Sequence, residues 1–435
     1  IILLMKKLKP IFVISCPYDT YSGYGGRARD IAKAIIKLDK YKVFLISQKW
    51  GETPQGFCND HEDWKWLYDY QLKQSDQTFK KPDIWMQITI PTEFKPVGNF
   101  NIGCTAGIEA TSCKPEWIQG LNQMDVNFVS SEFAKEMFEN TKFEQKNQQG
   151  QQVAIVELTK PIEVIFEGAD LDVYKKIPVK EAKTLDLDNV KEEFAFLSVG
   201  HWMQGQIGHD RKNIGKLVNL FFETFKGKRK KPALILKTSK GVCSYTSRDK
   251  VLEDIRAIKE RISGDLPNVY VLHGDLSDEE MNKLYNHPKV KAMVSLTKGE
   301  GFGRPLLEFS LSGKPVMCSG WSAPMDFLKP EYCALLPGKL ENVHPSAAND
   351  WLIKEAKWFQ VDDNYVKSYL KNFYEKYKTW IDKGKRQSYY AKTNFSWDKM
   401  KDLVGAKLEE IIPEIAQEVN LNLPKLNLPK LKKVK

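Results

Sequence analysis

Two glutamates, Glu300 and Glu308, bracket the end of a glycine-rich turn, Gly299-Glu300-Gly301-Phe302-Gly303. An apolar run over 290–296 precedes the turn and predicts a buried strand. Pro305 suits the first turn of a helix, where its missing N–H is not needed. A helix over 305–312 then ends at Gly313, and a second strand follows over 315–318. Strand, turn, helix and strand make one βαβ unit. Its turn offers free backbone N–H groups at a helix start, which is a ready anion site. The carboxylates are eight positions apart, about 12 Å of helical rise, so they cannot share one contact. A ligand that touches both is long with an anionic middle. A nucleotide sugar has that shape, with hydroxyls at each end and a diphosphate between.

Companion groups lie at the carboxyl ends of other predicted strands, the edge where open α/β sheets bind ligands. Arg211 and Lys212 follow a strand over 194–200. They suit a diphosphate, with Arg211 in bidentate fashion. Ordinary surface cations in a basic protein are the alternative. His273-Gly274 follows a strand over 269–272. His273 is placed to meet a base or phosphate, or it is a turn histidine without a ligand. In the first half, the loop 17–26 brings Gly25 and Gly26 to the start of a helix over 27–38. Glycines there fit close approach of a phosphate or sugar, or serve only the loop's own conformation. Gly23, Gly25 and Ala28 match the dinucleotide fingerprint in form. The loop before them is too long for it, and no acidic residue ends the second strand to take a ribose.

These groups need elements to position them. Near-continuous apolar runs at 10–16, 42–47, 84–90, 100–105 and 126–129 predict the strands of a parallel sheet covered on both faces. Ser130 or Ser131 caps a helix through Phe138. Residues 145–152 read as a Gln-rich loop, and 50–81 as an aromatic, polar, poorly periodic insertion or variable loop. A second βα series starts at 194, with Ser277 and Glu280 forming a capping box for a helix over 278–285. Helices are expected at 349–359, 363–382 and 397–412. Two βα series imply two doubly wound, Rossmann-like α/β domains facing across a cleft. The boundaries drawn are 5–175, a charged linker at 176–193, 194–385, a helix within 386–415, and a disordered basic tail at 416–435.

The chain has 435 residues, 42% hydrophobic and 28% charged, as expected of a globular protein with two or three domains. No apolar run approaches the roughly 18 residues of a membrane span. The apolar start, Ile1 to Leu4, precedes its lysines, the wrong order for a signal peptide. Seven scattered cysteines without CxxC predict reduced thiols and a cytoplasmic location, with a peripheral position at the inner membrane face as a variant. Net charge is +10, and residues 421–435 carry five lysines and no acid. That tail is either a solvated coil or a tether to an anionic surface. Asp170-Leu171-Asp172 and Asp186-Leu187-Asp188 are DxD strings, a pattern that ligates divalent metal for diphosphate chemistry. Both lie in or beside the charged linker, so no metal site and no cofactor is assigned.

The block Glu300 to Glu308 resembles the E-x7-E motif of family 4 glycosyltransferases. Leu311 to Val316, the 273–280 segment, Gly25-Gly26, residues 164–172, Gly107 to Thr111 and the Asp125 to Phe133 pattern are similar to that family too. The resemblance implies a GT-B fold, a nucleotide-sugar donor, retention of anomeric configuration and no obligatory metal. It implies that Glu300 contacts donor-sugar hydroxyls and that the N–H groups of Gly301, Phe302 and Gly303 hold sugar and diphosphate. Glu308 would bind the ribose and Lys212 the diphosphate. It also implies that the last long helix crosses back to the first domain. The family has Arg after the glycine of the first strand in the second domain; here His201-Trp202 follows Gly200, and Arg211 is expected to compensate.

A retaining reaction without an obvious nucleophile lets the acceptor attack from the leaving-group face, its proton passing to the departing diphosphate. Preorganised N–H donors and cations offset the charge that develops there. Glu109 is the candidate for an acceptor-side contact, with a structural hydrogen-bonding role as the alternative. The expected acceptor is a saccharide or a lipid-linked glycan. Modified DNA is a second acceptor class, and a non-enzymatic sugar-nucleotide-binding protein is a third reading.

Overall fold

In the computed structural model, which describes residues 9–73, 81–146, 149, 152–241 and 243–413, two six-stranded parallel sheets each carry their own helices. The first holds β1 (Ile11–Cys16), β2 (Lys42–Ser47), β3 (Ile84–Ile88), β4 (Phe100–Thr105) and β5 (Val126–Val129). A hairpin of β6 (Phe143–Lys146) and β7 (Gln152–Val156) intervenes before its last strand, β8 (Ile162–Val164). The order is β2-β1-β3-β4-β5-β8. The second sheet holds β9 (Ala195–Val199), β10 (Ala233–Lys237), β11 (Val269–Leu272), β12 (Val290–Ser295), β13 (Val316–Ser319) and β14 (Ala334–Leu336), in the order β11-β10-β9-β12-β13-β14. Each order reverses beside its first strand, at β1/β3 and at β9/β12. Those reversals are where loops part and open a crevice.

The chain passes between the two halves twice, at one place. Ala169 N–H donates to Phe395 O at 2.9 Å, and Trp397 N–H donates to Ala169 O at 2.8 Å. The helix Trp397–Ile411 then crosses to the first half. It buries Trp397, Met400, Val404 and Leu408 in one core with Ile31 and Ile35. Residues 176–193, expected as a linker, are folded against the second half. Leu187 and Val190 join Tyr174 and Tyr285 in its core. In each DxD string the first aspartate accepts the third residue's N–H, at 2.9 Å for Asp170 and 2.8 Å for Asp186, so both are local turns.

Several expectations need correction. The first helix spans Gly23–Lys37, because the Ser22 hydroxyl accepts Gly25 N–H as N-cap; Gly25 and Gly26 therefore lie in its first turn, not in a loop. The insertion contains a short helix, Phe57–Asp60, and a 3-10 helix, Glu62–Tyr70. The two ends of the Gln-rich segment are strand rather than loop: Gln145 and Lys146 belong to β6 and Gln152 to β7. The helix expected over 349–359 does not form; β15 (Gly338–Asn342) and β16 (Lys357–Val361) pair antiparallel instead. The helix expected over 363–382 breaks at Lys376 into Asp363–Glu375 and Tyr377–Asn394. The apolar start at residues 1–4 and the tail at 416–435 lie outside the described residues.

The arm formed by residues 338–361 reaches across. Val343, Ala347, Leu352, Ala356 and Trp358 pack with Trp117 and Phe138 of the first half. Phe359, one residue on, packs into the core of the second half.

Candidate active site

Glu300 sits just after β12, is 7% exposed, and is the centre of a charge cluster. Lys212 Nζ lies 2.6 Å and 2.7 Å from its two carboxylate oxygens. Arg211 Nη1 reaches Gly299 O at 2.8 Å, Glu109 Oε1 at 3.1 Å and Glu300 Oε2 at 3.5 Å. Burial pushes the Glu300 carboxyl up, but Lys212 and Arg211 outweigh it and hold it below the ordinary range. Burial likewise opposes the Arg211 charge, and Glu109 with Glu300 more than restores it. Glu109 follows β4 of the first sheet, so one guanidinium ties a first-half carboxylate to a second-half one.

The loop after β9 aims these cations. Asn213 adopts a left-handed conformation, with φ of 56°, just before the helix Ile214–Phe225. Asp210, fully buried, accepts Ile214 N–H at 3.4 Å. Lys298 N–H donates to Arg211 O at 2.7 Å, pinning the loop to the end of β12. Because β9 and β12 flank the sheet's reversal, the Lys212–Glu300 pair spans the switch point. Lys298 itself is buried under the arm, with Nζ on Gln360 and 5.3 Å above the Trp358 ring; burial lowers its pKa to about 8.

The glycines of the turn face the first half. A Cβ at Gly299 would sit 2.2 Å from Glu109 O, and one at Gly301 would sit 2.9 Å from Ala106 O. Gly301 O accepts from Ser130 and Ser131 hydroxyls at 2.8 and 2.9 Å. Gly303, with φ of 96°, needs the left-handed region to start the helix Arg304–Ser310. Phe302 is buried against Phe327. Among the described residues, no acceptor meets the N–H groups of Gly301, Phe302 or Gly303.

Glu308 is 9% exposed and holds Tyr285 Oη at 3.3 Å. Burial raises its pKa to about 7, against the pull of Arg304. Arg304 escaped the sequence reading. It lies 2.6 Å from Asp30 Oδ2, 3.5 Å from Glu308 Oε1 and 3.8 Å from Glu167 Oε2. Asp30 and Glu167 belong to the first half, so Arg304 forms a second bridge between halves. One signal was available: a cation in the first turn of a helix opposes the helix dipole and calls for carboxylate partners.

The remaining assigned residues are divided. Gly26 faces Arg304, whose Nη1 lies 3.3 Å from where its Cβ would be. At Gly25 a Cβ would meet Thr20 O at 2.3 Å, so that glycine serves the packing of its own turn. Gly274, with φ of 120°, offers its carbonyl to Lys237 Nζ at 2.5 Å. His273 points to Ser247, 3.5 Å away, and is not brought to the Glu300 cluster. His201, which follows Gly200 at the end of β9, has Nδ1 2.9 Å from Ser239 Oγ; burial, then Lys212 and Lys237, lower its pKa.

A cavity of about 1260 Å3 opens between the two halves; its lining includes His201 and Trp202 but not Lys212, Arg211 or Glu300. Its second-half wall includes His201, Trp202, Lys240 and Asp275, and its first-half wall includes Tyr21 and Trp50. Lys212 packs against Gly200, the neighbour of His201. Fixed cations, N–H donors without an acceptor and a carboxylate held in its ionised form, grouped in this way, can bind an anion next to a polyhydroxylated group.

Solved structures share this architecture. A glycosyltransferase from Rickettsia africae matches with 14% identity and a TM-score of 0.62, covering 94% of this chain and 100% of that one. Sucrose-phosphate synthase from Thermosynechococcus elongatus matches with 12% identity and a TM-score of 0.60, covering 93% and 99%. HepE of Anabaena, in complex with UDP and glucose, matches with 12% identity and a TM-score of 0.59, covering 92% and 100%. The fold is that of these GT-B glycosyltransferases. No protein-family model and no curated protein matches the chain.

Proposed function

We propose that the chain is a retaining, metal-independent glycosyltransferase that moves a sugar from a nucleoside-diphosphate donor to a hydroxyl acceptor. The observation that carries this reading is the Lys212–Glu300 pair at the switch point of the second sheet, where Arg211 joins it to Glu109 of the first half. HepE structures hold UDP or UDP-glucose on the same fold, which favours a UDP-sugar.

In this reading the diphosphate enters against Lys212 and Arg211, and the free N–H groups of Gly301 to Gly303 meet its oxygens and the sugar. Ionised Glu300 accepts hydrogen bonds from donor-sugar hydroxyls. Glu308 accepts from the ribose. The bond between the anomeric carbon and the diphosphate oxygen breaks as the acceptor oxygen attacks from the same face. The acceptor proton passes to the departing oxygen, so no protein nucleophile is required. Positioned cations and N–H groups lower the barrier by stabilising the charge on the leaving group, with about 3–4 kcal/mol typical for one such donor.

The test is release of nucleoside diphosphate from a panel of UDP-, GDP- and ADP-sugars. Turnover of one donor is expected, lost in Glu300→Gln with the fold intact by circular dichroism. Full activity in that variant removes the central assignment.

A further inference from the structure

The densest run of cations among the described residues lies far from the cleft, in the loop between the helix Ile214–Phe225 and β10. Lys226, Lys228, Arg229, Lys230 and Lys231 follow one another with one interruption, Gly227. Two of these cations hold the loop in place. Lys226 Nζ donates to Ile262 O at 2.9 Å, and Lys231 Nζ lies 2.5 Å from Asp265 Oδ1. Gly227, with φ of 68°, makes a left-handed turn, and its N–H donates to Asp265 O at 2.8 Å. Lys228, Arg229 and Lys230 are left over. All three are exposed, and none meets a carboxylate among the described residues.

Those anchoring contacts bring a second element alongside. The helix Tyr245–Ile262 ends against this loop, and its last turn carries Lys259 and Arg261. Both are exposed, again without a carboxylate partner among the described residues. Within the two segments, 226–231 and 259–265, seven cations stand against two acids, Glu260 and Asp265, and Lys231 already engages Asp265. Like charges gathered in this way repel one another and add nothing to packing, but they raise the local concentration of anions.

The position separates this corner from the candidate active site. β10 and β11 begin beside the two segments and run side by side away from them. Lys212 and Glu300 follow the carboxyl ends of β9 and β12, at the other edge of the same sheet, about 15 Å of strand away.

The surroundings narrow the kind of anion. Among the described residues, no large apolar side chain is exposed over 204–244 or 246–339. Attachment to a membrane surface couples basic residues to apolar ones that enter the headgroup layer. Binding of single strands uses exposed aromatic rings on which bases stack. Neither feature is present here. A duplex asks only for cations along its phosphates, and Arg229 and Arg261 offer guanidinium forks that fit a phosphate in bidentate fashion.

We infer that this corner is a docking site for a nucleic-acid duplex, held through its phosphates without regard to sequence. A duplex bound here is a tether and not the acceptor, because it lies at the far edge from Lys212 and Glu300.

The experiment follows the anisotropy of a labelled DNA duplex of roughly 20 base pairs with the full chain in about 50–200 mM KCl. Sedimentation with vesicles of phosphatidylserine and phosphatidylcholine runs in parallel. Duplex affinity should fall with salt, with a slope of log K on log salt of about −4, as for four or five phosphate contacts. Lys228→Gln, Arg229→Gln and Lys230→Gln together should weaken binding at least tenfold at about 100 mM and make the slope shallower by about 3. Lys228→Arg with Lys230→Arg should keep the parent affinity, and both variants should melt with the parent. Taking three charges from the basic tail, by Lys430→Gln, Lys432→Gln and Lys433→Gln, should change affinity less than threefold. Saturating UDP should change it less than twofold. No duplex binding in the lowest salt, an unaffected triple variant, or an equal loss from the tail variant overturns the inference. Displacement of the duplex by UDP overturns it too, as does vesicle binding at a salt concentration that already releases the duplex.

Discussion

Lys212 sits astride the Glu300 carboxylate, 2.6 Å from one oxygen and 2.7 Å from the other. Removing the lysine leaves a buried carboxylate whose nearest remaining cation is Arg211 at 3.5 Å. Lys212→Met should therefore destabilise the chain by about 3 kcal/mol, and adding Glu300→Gln should recover part of the loss. Urea midpoints at constant slope check this. The native Glu300 pKa is depressed, so the pair's contribution is present above the ordinary 4.5 and is lost as pH falls below it.

Glu308 behaves in the opposite sense. Burial raises it from 4.5 to about 7, so between those values the native state holds a proton that the unfolded chain has lost. Stability should fall as pH rises from 4.5 to 7, by on the order of 3 kcal/mol, and then level off. Glu308→Gln should flatten that dependence, read as the difference in melting temperature between pH 5 and pH 8. Donor KM in the parent chain should improve as pH rises through 7, since the ionised form is the better acceptor for ribose hydroxyls.

Arg304 faces three carboxylates from two halves. Its side chain is 27% exposed, so solvent screens part of that attraction. Arg304→Ala should cost about 2 kcal/mol, and Arg304→Lys should restore under half, because a point charge cannot serve three oxygens at once. Thermal melting of both variants, with UDP affinity alongside, measures this.

Gly299→Ala should be harsher than Gly301→Ala. The added methyl would meet Glu109 O at 2.2 Å in the first case and Ala106 O at 2.9 Å in the second. Both clashes are with backbone across the two halves, so a cost above roughly 2 kcal/mol is expected at 299 and less at 301. Equal melting temperatures for the two variants would refute the ordering.

The sheets were legible where one strand reads as one apolar run: β4, β5 and β11 fall on their expected residues, and the Ser277–Glu280 capping box forms. The arm was not. Over 349–359 the spacing of Leu352, Ala356 and Phe359 imitates a helical face, but Trp358 and Phe359 point into different cores. A strand buried on both faces shows no alternation, and periodicity cannot separate it from a helix. The cluster was half legible. Local pattern places Glu300, Arg211 and Lys212 in the turns after strands and Glu308 on the helix that follows. That Arg211 meets Glu109, or that Arg304 meets Asp30, depends on contacts over long stretches of chain, which periodicity does not encode.

The crossing arm and the closing helix also set an order of events during synthesis. The strands of the first sheet are complete by Val164, yet Trp358 and Leu408, which finish its cores, follow much later. At about 5–20 residues per second, that gap is on the order of 10–50 s. Over that interval the nascent chain holds Trp117, Phe138 and Ile35 without the partners that cover them. Its first half emerges early and is covered last, so a ribosome-bound intermediate exposes apolar surface that the finished fold buries.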